Sequence, residues 1–367
     1  MIKIISRLNG LAYQKVIKPV VFRIDPELVH DSTLNLAHIS GKIASVKYLL
    51  SKSLAYQNEI LSQEIDGINY KNPIGLAAGW DKDAKAIEIM PSLGFGFSEV
   101  GSITKHGYKG NESPRLKRLP ASRSILVNYG LKNDGVDLIA PRIPNRAGIA
   151  LGTNIARTNT PDCADDNVSI EDYAYSFAKL AHIGDYFTIN VSCPNTYGGQ
   201  PFHDKERLEL LLKRLDSIST SKPVYIKLSP DIDKETRKNI ADLSFKYRVN
   251  GFLCGNLTKN HKLDTIKDEI GDSLGGMSGK VLQQISDDLI ADMYKYTSGD
   301  KTIIGLGGVF NADDAYRKIK LGASLVQLIT GLIYQGPQVV GQINYDLVEL
   351  LKKDGYQNIK QAIGRGI

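Results

Sequence analysis

From Ile68 onward the chain alternates short apolar runs rich in β-branched residues, each ending in Gly, Ser, Thr or Asn, with stretches of helical spacing. The runs cover residues 73–78, 95–100, 148–151, 186–191, 224–228, 251–255, 302–306 and 325–329. Strands that alternate with crossover helices pair in parallel, and eight of them close into a (β/α)8 TIM barrel. An open doubly wound sheet is the competing arrangement, and it is disfavoured because no Gly-x-Gly-x-x-Gly follows the first run. Two further extended pieces, 115–119 and 124–127, read as a hairpin inserted after the second strand. With 367 residues, 42% of them hydrophobic, the chain has enough for a barrel of about 250 residues plus an appendage.

The appendage precedes the barrel, which divides the chain into residues 1–60 and 61–367. Residues 1–60 read as helical, with Asp25-Pro26-Glu27 as a helix start and Gly41 as a break. Its first 24 residues carry Lys3, Arg7, Lys15, Lys18 and Arg23 and no acid, among Ile2, Ile4, Ile5, Leu8, Leu11, Val16 and Ile17. Such a mixture suits a basic amphipathic helix lying on an anionic membrane surface, although a terminal helix packed on its own domain is the commoner origin of such a pattern. Asn9-Gly10 and Gln14-Lys15 interrupt any apolar core of a secretory signal. No segment approaches the roughly 18 consecutive apolar residues of a membrane span. The net charge of +6 is modest, and no basic run interleaved with aromatics points to nucleic acid. Cys163, Cys193 and Cys254 lack CxxC spacing, so neither a disulfide framework nor a metal site is expected, and a reducing compartment is.

In a barrel of this type the chemistry gathers where the strands end. Those positions hold Ala78-Gly79 with Lys82, Gly101-Ser102, Asn154, Asn190 with Cys193 and Asn195, Lys227, Asn256, Gly307-Gly308 and Thr330-Gly331. Glycines after the seventh and eighth strands let backbone amides approach an anion, and with Ser278-Gly279 they suggest a bound phosphate. Lys227 ends an otherwise apolar strand, where an unpaired ammonium is costly; it is either salt-bridged to a neighbouring strand or a fixed cation beside a flavin ring. Cys193 is either a small core hydrophobe or a base. Asn190, Ser192 and Asn195 around it, then Pro194, Gly198 and Gly199, make polar loop chemistry, and a thiol of ordinary pKa near ~8.5 suits proton removal. No histidine stands beside it, so a Cys-His protease arrangement is unsupported.

The motifs Asn72-Pro-Ile-Gly-Leu-Ala-Ala-Gly-Trp-Asp-Lys82, Ile189-Asn-Val-Ser-Cys-Pro-Asn-Thr196, Gly275-Gly-Met-Ser-Gly279 and Ile304-Gly-Leu-Gly-Gly308 resemble dihydroorotate dehydrogenases over nearly the whole chain. Phe22-Arg-Ile-Asp-Pro-Glu27 with His30 is similar to the second, quinone-linked class, whose helical extension sits on the membrane and guides quinone to the flavin. The resemblance implies that FMN is held by Ala78, Gly79, Lys82, Ser102, Asn154, Asn190, Lys227, Gly279, Gly308 and Thr330, with the phosphate at the last three. It implies that Lys82, Asn190, Asn195 and Asn256 hold the pyrimidine and its carboxylate, while Cys193 takes the C5 proton and C6 delivers hydride to the flavin. A peripheral position on the cytoplasmic side of a membrane follows from the same resemblance.

The sequence departs from that pattern on the substrate side. The quinone-linked class has serine at Cys193, cysteine belonging to the soluble first class. The asparagine expected before Tyr129-Gly130 aligns with Val127; Asn128 would serve in its place if the loop were shifted by one residue. Leu257 replaces a hydroxyl residue, and Tyr197-Gly198-Gly199-Gln200 replaces Gly-Leu-Arg. Three functions are therefore carried forward: a quinone-linked dihydroorotate dehydrogenase, a related FMN oxidoreductase acting on a different small ring, and a non-catalytic flavin-binding barrel. The loop 197–203 is a candidate lid.

Overall fold

A computed structural model describes residues 2–145, 147–271 and 274–367. In chain order its strands are β1 (Gln63–Ile65), β2 (Ile68–Tyr70), β3 (Ile74–Leu76), β4 (Phe97–Ile103), β5 (Leu116–Leu119), β6 (Ser124–Val127) and β7 (Ala150–Ile155). They continue with β8 (Tyr186–Asn190), β9 (Val224–Leu228), β10 (Gly251–Cys254), β11 (Gly276–Gly279), β12 (Thr302–Leu306) and β13 (Leu325–Leu328). Eight of these, β3-β4-β7-β8-β9-β10-β12-β13, close into a ring, every neighbouring pair parallel. They are the eight apolar runs of the sequence, and the TIM barrel expectation holds.

Strand periodicity sorts the barrel interior into layers. Phe97, Tyr186, Tyr225, Leu253, Ile304 and Leu325 meet in one buried cluster, closed from below by Tyr70 of the hairpin β1–β2. Gly75 and Gly152 make room for it, since a Cβ at either would lie 2.3 Å from the Phe97 or the Tyr186 ring. Two residues further along the same strands the inward positions turn polar: Glu99, Thr188 and Lys227, then Asn154 and Asn190. The apolar run read at 148–151 thus ends early. The strand continues to Ile155 because Thr153 and Asn154, polar but fully buried, have partners there.

The inserted hairpin is the antiparallel pair β5–β6, and β11 adds a third strand on β6, with Gly276 opposite Val127. In the extension, helices Pro26–Gly41 and Ala44–Leu54 follow a bent N-terminal segment, Ile2–Val21. Asp25 caps the first of them by accepting from the Glu27 and Leu28 amides, both at 2.9 Å, and Pro26 occupies the first turn. The N-terminal segment is tied to the barrel's last helices: the Tyr13 hydroxyl donates to Ile333 O at 2.6 Å and Gln14 Nε2 to Tyr334 O at 2.7 Å. Its other face leaves Leu8, Leu11, Val16, Ile17 and Val20 exposed, as the next helices leave Leu28, Leu36, Ile39 and Leu49. Among the described residues no helix is long and apolar enough to cross a membrane.

Candidate active site

One hydrogen-bonded network crosses the barrel mouth. At its base, buried Glu99 accepts from Thr188 Oγ1 at 2.8 Å, Tyr186 OH at 3.3 Å and Asn154 Nδ2 at 3.1 Å. Ser102 Oγ donates to Asn154 Oδ1 at 2.5 Å and receives Asn190 Nδ2 at 2.8 Å. The Asn190 carboxamide oxygen accepts from Ser192 N and Oγ at 3.2 and 3.0 Å, and Asn256 Nδ2 donates to Ser192 Oγ at 2.8 Å. Ser102, Asn154, Asn190 and Asn256, predicted from four different strand ends, therefore form one polar surface. Ser192 joins them to the Cys193 loop.

Lys227 is 4% exposed, and among the described residues no carboxylate oxygen lies within 4.0 Å of its ammonium. Burial lowers its pKa, and the charge of Glu99 opposes the shift. The salt bridge considered for this lysine is not formed; its charge is balanced at longer range. Cys193, at the start of the loop after β8, is partly exposed, unlike Cys163 and Cys254. Burial of the thiol pushes its pKa above the ordinary value, against the Asn195 amide and the charges of Lys227, Arg157 and Lys259. The sequence expectation of an ordinary thiol is thereby corrected upward.

Gly279 and Gly308 have φ of 103° and 69°, and the Ser278 and Thr330 hydroxyls are 2.8 Å apart. Gly79 has φ of 114°, and a Cβ there would meet only Ile329, at 3.8 Å, so it borders open space beside Ala78. On the far side of the mouth the Lys82 ammonium lies 3.2 Å from His30 Nε2 and 4.1 Å from the centre of the Tyr129 ring. Burial first, then the charges of Lys82 and Lys132, hold the His30 pKa down to about 3, so the neutral ring accepts from the lysine. Burial brings Lys82 down to about 8.

Asn195 and Asn128, both expected as substrate ligands, make the following contacts. Asn195 Nδ2 donates to Val127 O at 2.9 Å, while its Oδ1 is buried and unpaired. The Asn128 amide donates to Arg115 O at 2.8 Å, continuing the pairing of Leu116 with Val127. The Asn128 carboxamide is instead taken by Asn111 Nδ2 at 3.0 Å, in a cavity of about 660 Å³ that Asn195 and Tyr197 also line. Val127 packs with Ile125, Phe310 and Tyr334, and Leu257 lies over Gly276, where a Cβ would be 2.6 Å from its own. Sequence reasoning passed over Glu99, His30 as a partner of Lys82, and Arg157. Glu99 carries the signal that singled out Lys227, a charge within an apolar run.

The sequence model of the family "Dihydroorotate dehydrogenase" matches residues 60–351. A dihydroorotate dehydrogenase (quinone) of Trichodesmium erythraeum is 36% identical over 373 residues, covering 96% of this chain and 98% of its own. One of Sulfurimonas denitrificans is 38% identical over 358 residues, with 96% and 98% covered. The crystal structure of ligand-free DHODH from Eimeria tenella superposes with a TM-score of 0.84 at 30% identity, covering 93% of this chain and 99% of that one. Its complex with ferulenol gives 0.82 at 30% identity, with 93% and 95% covered. The chain belongs to the dihydroorotate dehydrogenase family.

Proposed function

We propose that this protein oxidises dihydroorotate to orotate with FMN as resident cofactor and a quinone as electron acceptor, and that Cys193 is the base. The observation that carries the proposal is the convergence of Cys193, Lys227 and the Ser102–Asn154–Asn190–Asn256 network at one barrel mouth. The donor set fits FMN. Gly279, Gly308 and the Ser278–Thr330 hydroxyl pair present amide and hydroxyl donors for a phosphate, and Lys227 is a buried cation without a close counter-ion among the described residues. Bound FMN would supply the hydride acceptor. The protein's part is to hold and deprotonate the ring: Asn190, Asn256 and Lys82 orient its polar edge and carboxylate, and the Asn195 oxygen is an unpaired acceptor beside them. The Cys193 thiolate takes the proton α to the carbonyl, aided by its amide contact with Asn195 and by the field of Lys227 and Arg157.

The N-terminal helices serve as quinone access and membrane contact in this proposal, peripheral and on the cytoplasmic side. Exposed Leu11, Val16 and Val20, beside exposed Arg7, Lys15 and Arg23, suit an anionic lipid surface. Anaerobic titration of the yellow protein with dihydroorotate should bleach the flavin; an unbleached spectrum would sink the substrate assignment. Leu11→Glu with Val16→Glu should abolish sedimentation with anionic vesicles and slow quinone reduction, leaving flavin reduction intact.

A second reading, oxidation of a different and less acidic small ring, is favoured by Val127 facing the apolar cluster and by Asn128 being committed to Asn111. Normal turnover of dihydroorotate with tight orotate binding rejects it. A non-catalytic flavin barrel is the third, and a Cys193→Ala protein that reduces flavin as fast as the parent would leave Cys193 without a catalytic role.

A further inference from the structure

We propose that Arg157 is a positioning residue whose guanidinium staples the loop after Cys193 to the barrel body and so holds the thiol in its working place. The proposal rests on Cys193 being the base. Arg157 lies two residues past the end of β7 and is 4% exposed. Its Nη1 donates to Cys163 O and, at 3.2 Å, to Ser169 Oγ, both on the body side. Nη2 donates to Tyr197 O and, at 3.0 Å, to Gly199 O, both in the loop. Among the described residues no carboxylate lies within 4.0 Å of it. Asp172, the acid in this neighbourhood, accepts from Thr158 N at 2.9 Å and Thr158 Oγ1 at 2.6 Å. A buried cation facing neutral carbonyls is an expensive arrangement, and only the planar fork of arginine spans two segments in this way.

The loop is built to receive the fork. Gly198 and Gly199 have φ of 68° and 67°, a left-handed pair that aims the Tyr197 and Gly199 carbonyls at one guanidinium. A Cβ on Gly199 would meet nothing within 4 Å, so its conformation, and not crowding, calls for glycine. Within the loop, Thr196 Oγ1 donates to Cys193 O at 3.3 Å and Gln200 Nε2 to Ser192 O at 2.8 Å, so the Arg157-bound end of the loop is tied to its Cys193 end. Asn159 and Asn111 add neutral ties, to Tyr197 N at 2.9 Å and Asn195 O at 3.3 Å. Arg157 and Cys193 line the same small cavity, with Tyr173 and Phe202. The charged groups that face the thiol are Lys227 from β9, Arg157 from the end of β7 and Lys259 from the loop after β10.

The test compares Arg157→Lys, Arg157→Met and Ser169→Ala in the FMN-loaded protein. Hydrogen exchange of the amides of 196–200 should accelerate roughly 10- to 100-fold in both arginine variants, the range set by losing bonds from a charged donor, and less in Ser169→Ala. Iodoacetamide alkylation of Cys193, with Cys193→Ala as the blank, should reach a higher plateau in both. Its pH midpoint should rise in Arg157→Met and stay in place in Arg157→Lys, a separation that loosened packing alone does not produce. The maximal rate of flavin reduction should fall about tenfold or more, with a smaller change in KM. Unchanged loop exchange and alkylation in Arg157→Lys and Ser169→Ala, the mildest changes, overturn the proposal even if Arg157→Met fails to fold. Faster loop exchange in a protein whose Cys193→Ala form keeps full activity would uphold the staple and remove only the base assignment.

Discussion

Cys193 sits where two walls of the barrel mouth meet. One is made of strand ends, where Glu99, Asn154, Ser102, Asn190, Ser192 and Asn256 saturate one another at 2.5–3.4 Å on neighbouring parallel strands. The other is laid over them: the Cys193 loop, the β5–β6–β11 sheet and the helix carrying Glu27 and His30. Its charged ties join segments far apart in sequence: His30 to Lys82, Glu27 to Arg115, and Arg157 to Tyr197 and Gly199. The first wall is a rigid template whose geometry the sheet dictates. The second can be loosened one tie at a time, which suits parts that must admit and release ligands.

The largest expected effect lies at the junction. Cys193→Ala should lower the rate of flavin reduction about 10²- to 10⁴-fold while leaving FMN content unchanged, the range typical of losing a general base. In the parent protein the rate should rise with pH through a midpoint above the ordinary thiol range, because burial disfavours the thiolate and the reaction consumes it. A midpoint below neutrality would contradict the environment described for this thiol. Next comes the template itself. Glu99→Ala strands the Asn154 amide, the Thr188 hydroxyl and the Tyr186 hydroxyl in a buried layer. At about 1–3 kcal/mol for each unsatisfied group, a loss on the order of 3–5 kcal/mol in urea unfolding is expected.

The same division governs what the sequence reveals. The strand-end wall was legible because short apolar runs must pair somewhere and their terminal polar residues must converge. The Asp25 cap was legible because Asp-Pro-Glu is local chemistry. The covering wall was not, since its partners are set by contacts across the chain. Gly276-Met277-Ser278-Gly279 has the composition of a loop and becomes a strand only by pairing with β6. The contact of Asn128 with Asn111, 17 residues away, is likewise set by the fold and not by local pattern. Arg157 is hidden because it lies beyond the strand end at Ile155 and only the fold brings Cys163, Tyr197 and Gly199 to it.

A pH effect tests the His30 tie. Its folded pKa of about 3 lies below the ordinary 6.5, so on acidification through 6.5 the unfolded chain takes up a proton that the folded protein refuses. Stability therefore rises with pH between about 3 and 6.5 and falls as pH drops through that window. From pH 6.5 to 5.5 the expected loss is about 1 kcal/mol, or roughly 2 °C in melting temperature. His30→Gln should remove this increment, and a variant whose melting temperature follows the parent's pH dependence would show that the helix docks without the His30–Lys82 contact.

The smallest effect is expected at Glu27. Its carboxylate lies 2.5 Å from Arg115 Nη2 and 3.7 Å from Lys132 Nζ, in the first turn of its helix, with the Glu27 and Arg115 side chains 17% and 16% exposed. The pair is bidentate and largely shielded from water, but glutamine keeps a carbonyl oxygen for one of the two Arg115 bonds, so Glu27→Gln should cost about 1 kcal/mol in urea unfolding, with little dependence on salt, and should leave flavin reduction near the parent rate. A loss as large as that of Glu99→Ala would break the contrast between the walls. It would mean that the extension's docking is part of the barrel's own cooperative unit, and that loosening the cover disturbs the template beneath it.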